Sequence, residues 1–155
     1  YKRVDIVIEA FKKLGNDYRL KIFGNGVDLE RLKQLAEGCL NIEFLGRVSD
    51  EEKAKLYRYA QAFINPQEED FGITAVESMA AGRPVIAYQK GGATETIIAG
   101  KTGLFFTEQT PEAIEQVVKS FKSEDFNPRE IKDWAENFSL QNFQEKIKAF
   151  ISKSL

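Results

Sequence analysis

The sequence has no histidine and a single cysteine, Cys39, among its 155 residues. Without histidine, the chain cannot form a Ser-His-Asp or Cys-His catalytic arrangement within itself, and one cysteine excludes an intrachain disulfide. A structural zinc site is disfavoured for the same reason, because such sites use clustered Cys and His ligands. A lone cysteine fits a reducing compartment, so we expect a protein of the cytoplasm or of the cytoplasmic face of a membrane.

Long apolar runs and an excess of one charge sign are also missing. No run approaches the roughly 20 apolar residues of a membrane-spanning helix. The 22 Lys and Arg nearly balance the 24 Asp and Glu, so the sequence lacks the excess of positive charge that is typical of nucleic-acid-binding proteins. The remaining composition, 43% hydrophobic and 30% charged, is that of one compact globular domain or of one lobe of a larger protein.

Helical and strand-like patterns alternate along the whole chain. Helices are predicted at residues 4–14, 28–37, 50–59, 74–81, 111–121, 128–137 and 140–152, with a short one between Gly91 and Gly100. The helix at 50–59 is predicted to begin at a capping box, with Ser49 as N-cap and Glu52 three residues later. Strands are predicted at residues 18–23, 41–45, 62–65, 85–88 and 103–106. Helices of roughly ten residues between strands indicate βαβ crossovers, and therefore an α/β domain with a parallel sheet covered by helices on both faces.

The carboxyl ends of the predicted strands carry glycine-rich loops. These loops are residues 24–26, 46–48, 65–72 and 88–92. Ligands of open α/β sheets bind at the carboxyl ends of the strands. The four loops therefore indicate a candidate ligand site at one edge of the sheet.

Two glutamates flank the start of the predicted helix 74–81. Glu69 precedes it and Glu77 lies inside it, with seven residues between them. Gly72 and Thr74 stand at the helix start, where free backbone N–H groups favour an anion such as a phosphate. The carboxylates could accept hydrogen bonds from sugar hydroxyls, but the residue types alone favour two solvated charges at a helix end.

The segment around these glutamates resembles a known family. The likeness extends through residues 78–87 (SMAAGRPVIA), 91–95 (GGATE) and 100–103 (GKTG), and it covers essentially the whole chain. These motifs resemble the nucleotide-sugar lobe of retaining GT-B glycosyltransferases, and more closely the group 1 (family four) set that includes mannosyltransferases of cell-surface polysaccharide synthesis. The resemblance implies a Rossmann-like three-layer α/β/α fold, the C-terminal half of a GT-B fold, as one nucleotide-sugar-binding domain over residues 1–155.

The resemblance also implies roles for the glutamates and the segment between them. The family's second motif glutamate binds the ribose hydroxyls, which assigns that role to Glu77. Its first motif glutamate faces the donor sugar at the reacting centre, which assigns that role to Glu69. The backbone that touches the sugar and the distal phosphate matches four consecutive residues, Phe71, Gly72, Ile73 and Thr74.

Three other segments match further donor-binding parts of the family. Arg47 and Val48 follow Gly46 in the loop whose backbone meets the nucleobase. Gly24 and Gly26 match a glycine turn in the same cleft, and Lys2 matches a lysine that neutralises the diphosphate beside the reacting centre. Without the resemblance, each has another interpretation, namely an exposed ion pair for Arg47, a plain turn for the glycines and a solvated charge for Lys2.

The sequence departs from the family pattern ahead of Lys2. It begins at Tyr1, and the strand and Gly-Arg pair that precede this lysine in the family are not in it. The resemblance therefore predicts a sheet lacking its first strand, with a centre that is empty, replaced or supplied by another chain, so self-association is expected. The acceptor-binding N-terminal lobe is also outside the sequence, which predicts an inactive fragment of a two-domain enzyme.

Apolar residues near the C-terminus are expected in the core rather than in a ligand stack. They are Trp134, Phe138, Phe143, Phe150 and Ile151. In the family the last helices cross to the partner lobe, so part of the 140–155 face is expected to be an exposed apolar patch.

The activity implied by the resemblance is retaining glycosyl transfer from a nucleoside diphosphate sugar to a polysaccharide or lipid-linked acceptor. The resemblance favours GDP-mannose as donor, and it is compatible with a membrane-associated acceptor. No Asp-x-Asp motif is present, and the family uses protein cations at the diphosphate, so no metal or other cofactor is expected. The alternative is a stand-alone or engineered α/β fragment with only a structural or nucleotide-binding role.

Overall fold

The computed structural model describes residues 1–154, so Leu155, the last residue of the expected domain, lies outside the described residues. Helices and strands alternate up to residue 120, and two further helices follow. The helices are α1 (Val4–Leu14), α2 (Leu29–Leu35), α3 (Asp50–Tyr59), α4 (Ile73–Ala80), α5 (Ala93–Thr96), α6 (Pro111–Ser120), α7 (Pro128–Ala135) and α8 (Leu140–Ser154). The strands are β1 (Leu20–Phe23), β2 (Ile42–Gly46), β3 (Phe63–Asn65), β4 (Val85–Tyr88) and β5 (Gly103–Phe106).

All the strand pairs are parallel, and the predicted α/β fold class is confirmed. Strand β4 pairs with β3 on one side and with β5 on the other, with Ile86 opposite Ile64 and Leu104. Strand β1 pairs with β2, with Leu20 opposite Ile42. Helices connect the successive strands, which is the Rossmann-like arrangement expected from the alternating pattern.

Strand β4 separates two hydrophobic clusters because its side chains alternate between the faces of the sheet. Ile86 and Tyr88 pack under α1 and α6, together with Phe106 of β5. Val85 and Ala87 pack on the opposite face, under α4 and α7. Two helical layers therefore enclose the sheet, which gives the predicted three-layer architecture.

The sheet is interrupted in the middle. Within residues 1–154, β1–β2 and β3–β4–β5 form separate sheets, with no ladder between β1 and β3. Leu20 of β1 and Ile64 of β3 nevertheless pack against the same cluster under α1 and α6. One helical layer thus spans both sheets.

Several element boundaries differ from those predicted. The strand expected at 18–23 begins at Leu20, because the Tyr18 amide donates to the carbonyl of Gly15 and closes a 3-10 turn. The helix expected between Gly91 and Gly100 covers only Ala93–Thr96. The prediction that all five C-terminal apolar residues are core is wrong for the three on α8, since Phe143, Phe150 and Ile151 are exposed. The same exposures confirm the expected apolar patch on the face of the last helix. Trp134 and Phe138 do pack, with their rings edge to face.

No helix within residues 1–154 is long and apolar enough to cross a membrane.

Candidate functional site

Helix α3 is set in place by the capping box predicted at its start. The Ser49 side chain accepts a hydrogen bond from the Glu52 amide, and the Glu52 carboxylate accepts one from the Ser49 amide. Both groups satisfy backbone donors that a helix N-terminus leaves free. Fixing the first turn also fixes the helix face that carries Lys53 and Tyr57, which lie one turn apart.

Lys53 and Tyr57 both contact the carboxylate of Glu77 on α4. The Lys53 ammonium donates to Oε1 at 2.8 Å, and the Tyr57 hydroxyl donates to Oε2 at 3.2 Å. Lys53 also lies 3.3 Å from the exposed carboxylate of Asp50. The hydrogen bond to Glu77 is the main cause that raises the pKa of Lys53, so the ammonium form is favoured.

Tyr57 is the most enclosed member of this group. Its ring meets Phe23 and Phe63 edge to face, with centroid distances of 5.9 and 5.7 Å. Burial, followed by the negative charge of Glu77, raises the pKa of Tyr57 well above its usual value. The phenol therefore stays protonated and remains a hydrogen-bond donor to Glu77.

This environment predicts an unusual alkaline titration. We expect one phenolate absorbance step well above the usual tyrosine pKa of about 10. That step should disappear in Tyr57→Phe and persist in the control Tyr59→Phe, because Tyr59 is exposed on the same helix. Since the folded-state pKa is raised, the contribution of Tyr57 to stability is present below pH about 10 and is lost as the pH rises through the folded value. An identical high-pH step in wild type and Tyr57→Phe would contradict this assignment.

Glu69 lies in the loop before α4 and forms an ion pair with Lys2 near the N-terminus. The Lys2 ammonium is 3.8 Å from its Oε2, and the amide group of Gln67 donates to its Oε1 at 2.9 Å. Glu69 is the more enclosed partner of the ion pair, with 19% of its side chain exposed against 50% for Lys2. The structure thus brings together the two residues expected at the reacting centre.

The glycine pair Gly91–Gly92 packs directly against the Glu69 loop. The Gly92 amide donates to the carbonyl of Glu69 at 2.8 Å. A Cβ atom on Gly92 would lie 2.2 Å from the carbonyl oxygen of Asp70, and one on Gly91 would lie 2.5 Å from that of Glu69. Only glycine permits this approach, so the pair determines where the Glu69 loop lies.

The start of α4 presents its free backbone amides beside this loop. Gly72 is the N-cap residue, with φ of 84° and no capping side chain. The expected ligand-binding residues that follow it differ in accessibility, since Ile73 is exposed and Thr74 half-buried. Free amides and the helix dipole favour an anion at this end.

An open groove runs along α4 beside these residues. Its volume is about 390 Å³, and three of the expected site residues, Phe71, Ile73 and Glu77, line it. The opposite wall consists of residues that follow α7, including Glu136 and Phe138. The ring of Phe71 contacts that of Phe138 at a centroid distance of 5.8 Å, which joins the two walls at one point.

The remaining expected residues lie at the carboxyl ends of β1 and β2. The Gly24 amide donates to the carbonyl of Gly46 at 2.7 Å, so the glycine turn after β1 lies beside the loop after β2. Gly26 and Arg47 are exposed, and Val48 is half-buried. Tyr57 links the loop after β1 to the Glu77 carboxylate, because its ring also contacts Phe23 at the end of β1.

Three residues of the site, Lys53, Tyr57 and Gln67, were not predicted from the sequence. Gln67 lies two residues before Glu69 in a loop, where no periodic pattern marks its direction. Lys53 and Tyr57 did leave a signal, because their spacing of four residues on α3 places them on one helix face. That spacing does not say which element the face meets, and the answer depends on the packing of α3 beside α4.

The chain matches the sequence model of the family described as "Glycosyl transferases group 1" over residues 1–140. It is similar to MJ1069, an uncharacterized glycosyltransferase of Methanocaldococcus jannaschii, with 32% identity over 156 residues that cover 94% of this chain and 39% of that protein. It is 39% identical over 100 residues to the phosphatidyl-myo-inositol mannosyltransferase of Mycobacterium leprae, covering 63% of this chain and 25% of that protein.

A solved structure has the same fold. The Anabaena protein Alr3699/HepE, in complex with UDP and glucose, superposes with a TM-score of 0.84 over 98% of this chain and 45% of that chain, at 20% sequence identity. The match spans only about a third of the length of the first curated relatives, from 32% to 39%. Because the family match covers residues 1–140, which is most of the sequence, the chain belongs to the group 1 family of glycosyl transferases.

Proposed function

We propose that the chain is the donor-binding part of a retaining glycosyltransferase that uses a nucleoside diphosphate sugar. The observation that supports this most directly is the placement of two partnered carboxylates around one helix N-terminus. Glu69 lies beside Lys2 before α4, and Glu77 lies inside α4 against Lys53 and Tyr57. Carboxylates suit sugar hydroxyls, and the free amides between them suit a phosphate.

Each part of the donor has a proposed binding group. Glu77 receives the ribose hydroxyls, and Glu69 faces the transferred sugar. The amides around Gly72 and Ile73 and the ammonium of Lys2 face the diphosphate. This leaving group gains negative charge as the glycosidic bond breaks, and fixed donors stabilise that charge most where it develops.

The nucleobase is proposed to lie over the loops at the ends of β1 and β2, against Arg47, Val48 and the glycine turn at Gly24 and Gly26. GDP-mannose is the proposed donor, supported by the similarity to a mannosyltransferase. A uridine nucleotide is the other candidate, because UDP is bound by the structural neighbour from Anabaena. Protein cations offset the diphosphate charge in this proposal, so it invokes no metal or other cofactor.

We further propose that this chain does not transfer sugar by itself. The curated relatives are about three times as long as the segment they share with it, so residues outside that segment are available to bind the acceptor. In the GT-B glycosyltransferases that this sequence resembles, transfer takes place in the cleft between two lobes. This chain is proposed to correspond to one of them. The acceptor is proposed to be a polysaccharide precursor or a lipid-linked sugar.

The test of the donor role is a binding measurement followed by mapping. We expect calorimetric titration of the 155-residue chain to detect GDP or UDP binding. Amide chemical shifts should then change at residues 24–26, 46–48 and 69–77. Shift changes confined to α8, or no binding of either nucleotide, would contradict the proposed function.

A further inference from the structure

We propose that Lys53 and Tyr57 are positioning residues that orient the Glu77 carboxylate to receive two neighbouring ribose hydroxyls. The inference rests on the proposed function, since it assumes that Glu77 is the ribose ligand. It goes further by assigning selectivity for ribose to α3, an element that carries none of the residues expected to touch the donor.

The hydrogen bonds define the orientation of the carboxylate. Lys53 donates to Oε1 and Tyr57 donates to Oε2, so each oxygen has its own donor. Two separate donors fix both the position and the rotation of a carboxylate plane, whereas one donor leaves the rotation free. A free glutamate side chain would lose this rotational freedom on binding, and a pre-oriented one has already lost it.

The carboxylate keeps enough acceptor capacity for a diol. An ionised carboxylate has about four lone-pair positions, and Lys53 and Tyr57 occupy two of them. About two positions remain, one on each oxygen, which matches the two hydroxyls of a ribose ring. The donors on α3 therefore complete the site without competing with the ligand.

Tyr57 is itself held firmly in place. Only 4% of its surface is exposed, and its ring lies between Phe23 and Phe63. Lys53 has a second carboxylate beside it in Asp50, but that side chain is fully exposed and its ion pair is longer, 3.3 against 2.8 Å. Glu77 is thus the main partner of both donors, and a rigid buried ring supports one of them.

The test compares ribonucleotides with their 2′-deoxy forms. The selectivity ratio, Kd for 2′-deoxy-GDP divided by Kd for GDP, is measured by calorimetry for wild type, Lys53→Met, Tyr57→Phe and Glu77→Ala, and the same is done with UDP. We expect Lys53→Met and Tyr57→Phe each to reduce the ratio about three- to tenfold, while the affinity for the deoxy form changes less than twofold. Tyr57→Phe keeps the ring, so the packing against Phe23 and Phe63 is preserved.

Two further variants separate positioning from general charge effects. Lys53→Arg keeps a cationic donor and should retain most of the wild-type ratio. Lys55→Met removes a lysine of the same helix that pairs only with Glu51 among the ion pairs of the described residues, and it should match wild type. A purely structural effect of Lys53 would weaken ribo and deoxy forms equally, and it would leave the ratio unchanged.

The outcomes distinguish this inference from the proposed function. If Glu77→Ala reduces the ratio and the Lys53 and Tyr57 variants do not, the inference is overturned while the ribose role of Glu77 stands. If Glu77→Ala leaves the ratio unchanged, or if wild type binds neither nucleotide, the proposed function fails and the inference fails with it. Loss of selectivity in all three variants, with Lys55→Met unchanged, supports both.

Discussion

Replacing Glu77 with alanine is expected to lower the affinity for the bound ribonucleoside diphosphate at least about tenfold and to leave the domain folded. Hydrogen bonds to a charged group contribute roughly 1.5–3 kcal/mol each, and about 1.4 kcal/mol corresponds to a factor of ten in Kd. The helix should tolerate the change, because alanine is the better helix former and Glu77 is only half-buried in α4. Removing the carboxylate also takes the acceptor from the buried Tyr57 hydroxyl, so the free energy of unfolding should fall by roughly 1–3 kcal/mol. The affinity is therefore measured well below Tm, where both proteins are folded.

The measurement is a cycle of two proteins and two ligands. The 2′-deoxy nucleotide lacks one proposed partner of Glu77, so the mutation should weaken its binding less than that of the ribonucleotide. The matched control is Glu115→Ala, which also removes a glutamate paired with a lysine, at 2.6 Å from Lys119, but on α6. Equal affinities of wild type and Glu77→Ala, with both proteins folded, would mean that Glu77 is not the ribose ligand.

Local sequence signals predicted the parts of the site that depend on short-range chemistry. The Ser49–Glu52 capping box fixed the start of α3 correctly, because both hydrogen bonds join residues three apart. The carboxyl ends of the strands were predicted from glycine positions, and the parallel register then places Gly24 beside Gly46. The approach of Lys2 to Glu69 has no local signal, and it was expected only through the family resemblance.

Contacts between distant elements could not be derived from periodicity. The pattern of α3 places Lys53 and Tyr57 on one face, but their meeting with Glu77 depends on how α3 packs beside α4. Periodicity was also insufficient at α8, where an apolar spacing typical of a buried helix gives a largely exposed face. A sequence pattern shows which side of a helix is apolar, whereas burial depends on the surface that this side meets.

The second large effect is expected from Gly92→Ala, which should destabilise the domain and weaken donor binding together. Gly92 has ordinary right-handed helical torsions, φ −59° and ψ −20°, so alanine adds no backbone strain there. Its Cβ would lie 2.2 Å from the Asp70 carbonyl oxygen and 2.8 Å from the Phe71 Cα. Both contacts are with backbone atoms, so no side chain can rotate away, and the loop that carries Glu69 must move.

Overpacking of this kind costs about 1–3 kcal/mol. In a domain of this size each kcal/mol lowers Tm by roughly 2–4 °C, so the expected drop is about 2–12 °C by calorimetry. Nucleotide affinity measured well below Tm should fall as well, because the shifted segment leads into the N-terminus of α4. The control for Tm alone is Gly26→Ala, because Gly26 belongs to the proposed nucleobase loop. A Cβ there would have nothing within 4 Å, so its Tm should stay within about 2 °C of wild type. If Gly92→Ala had the Tm and the nucleotide affinity of wild type, the Glu69 loop could move without loss of stability or binding. The glycine pair would then not position the donor site.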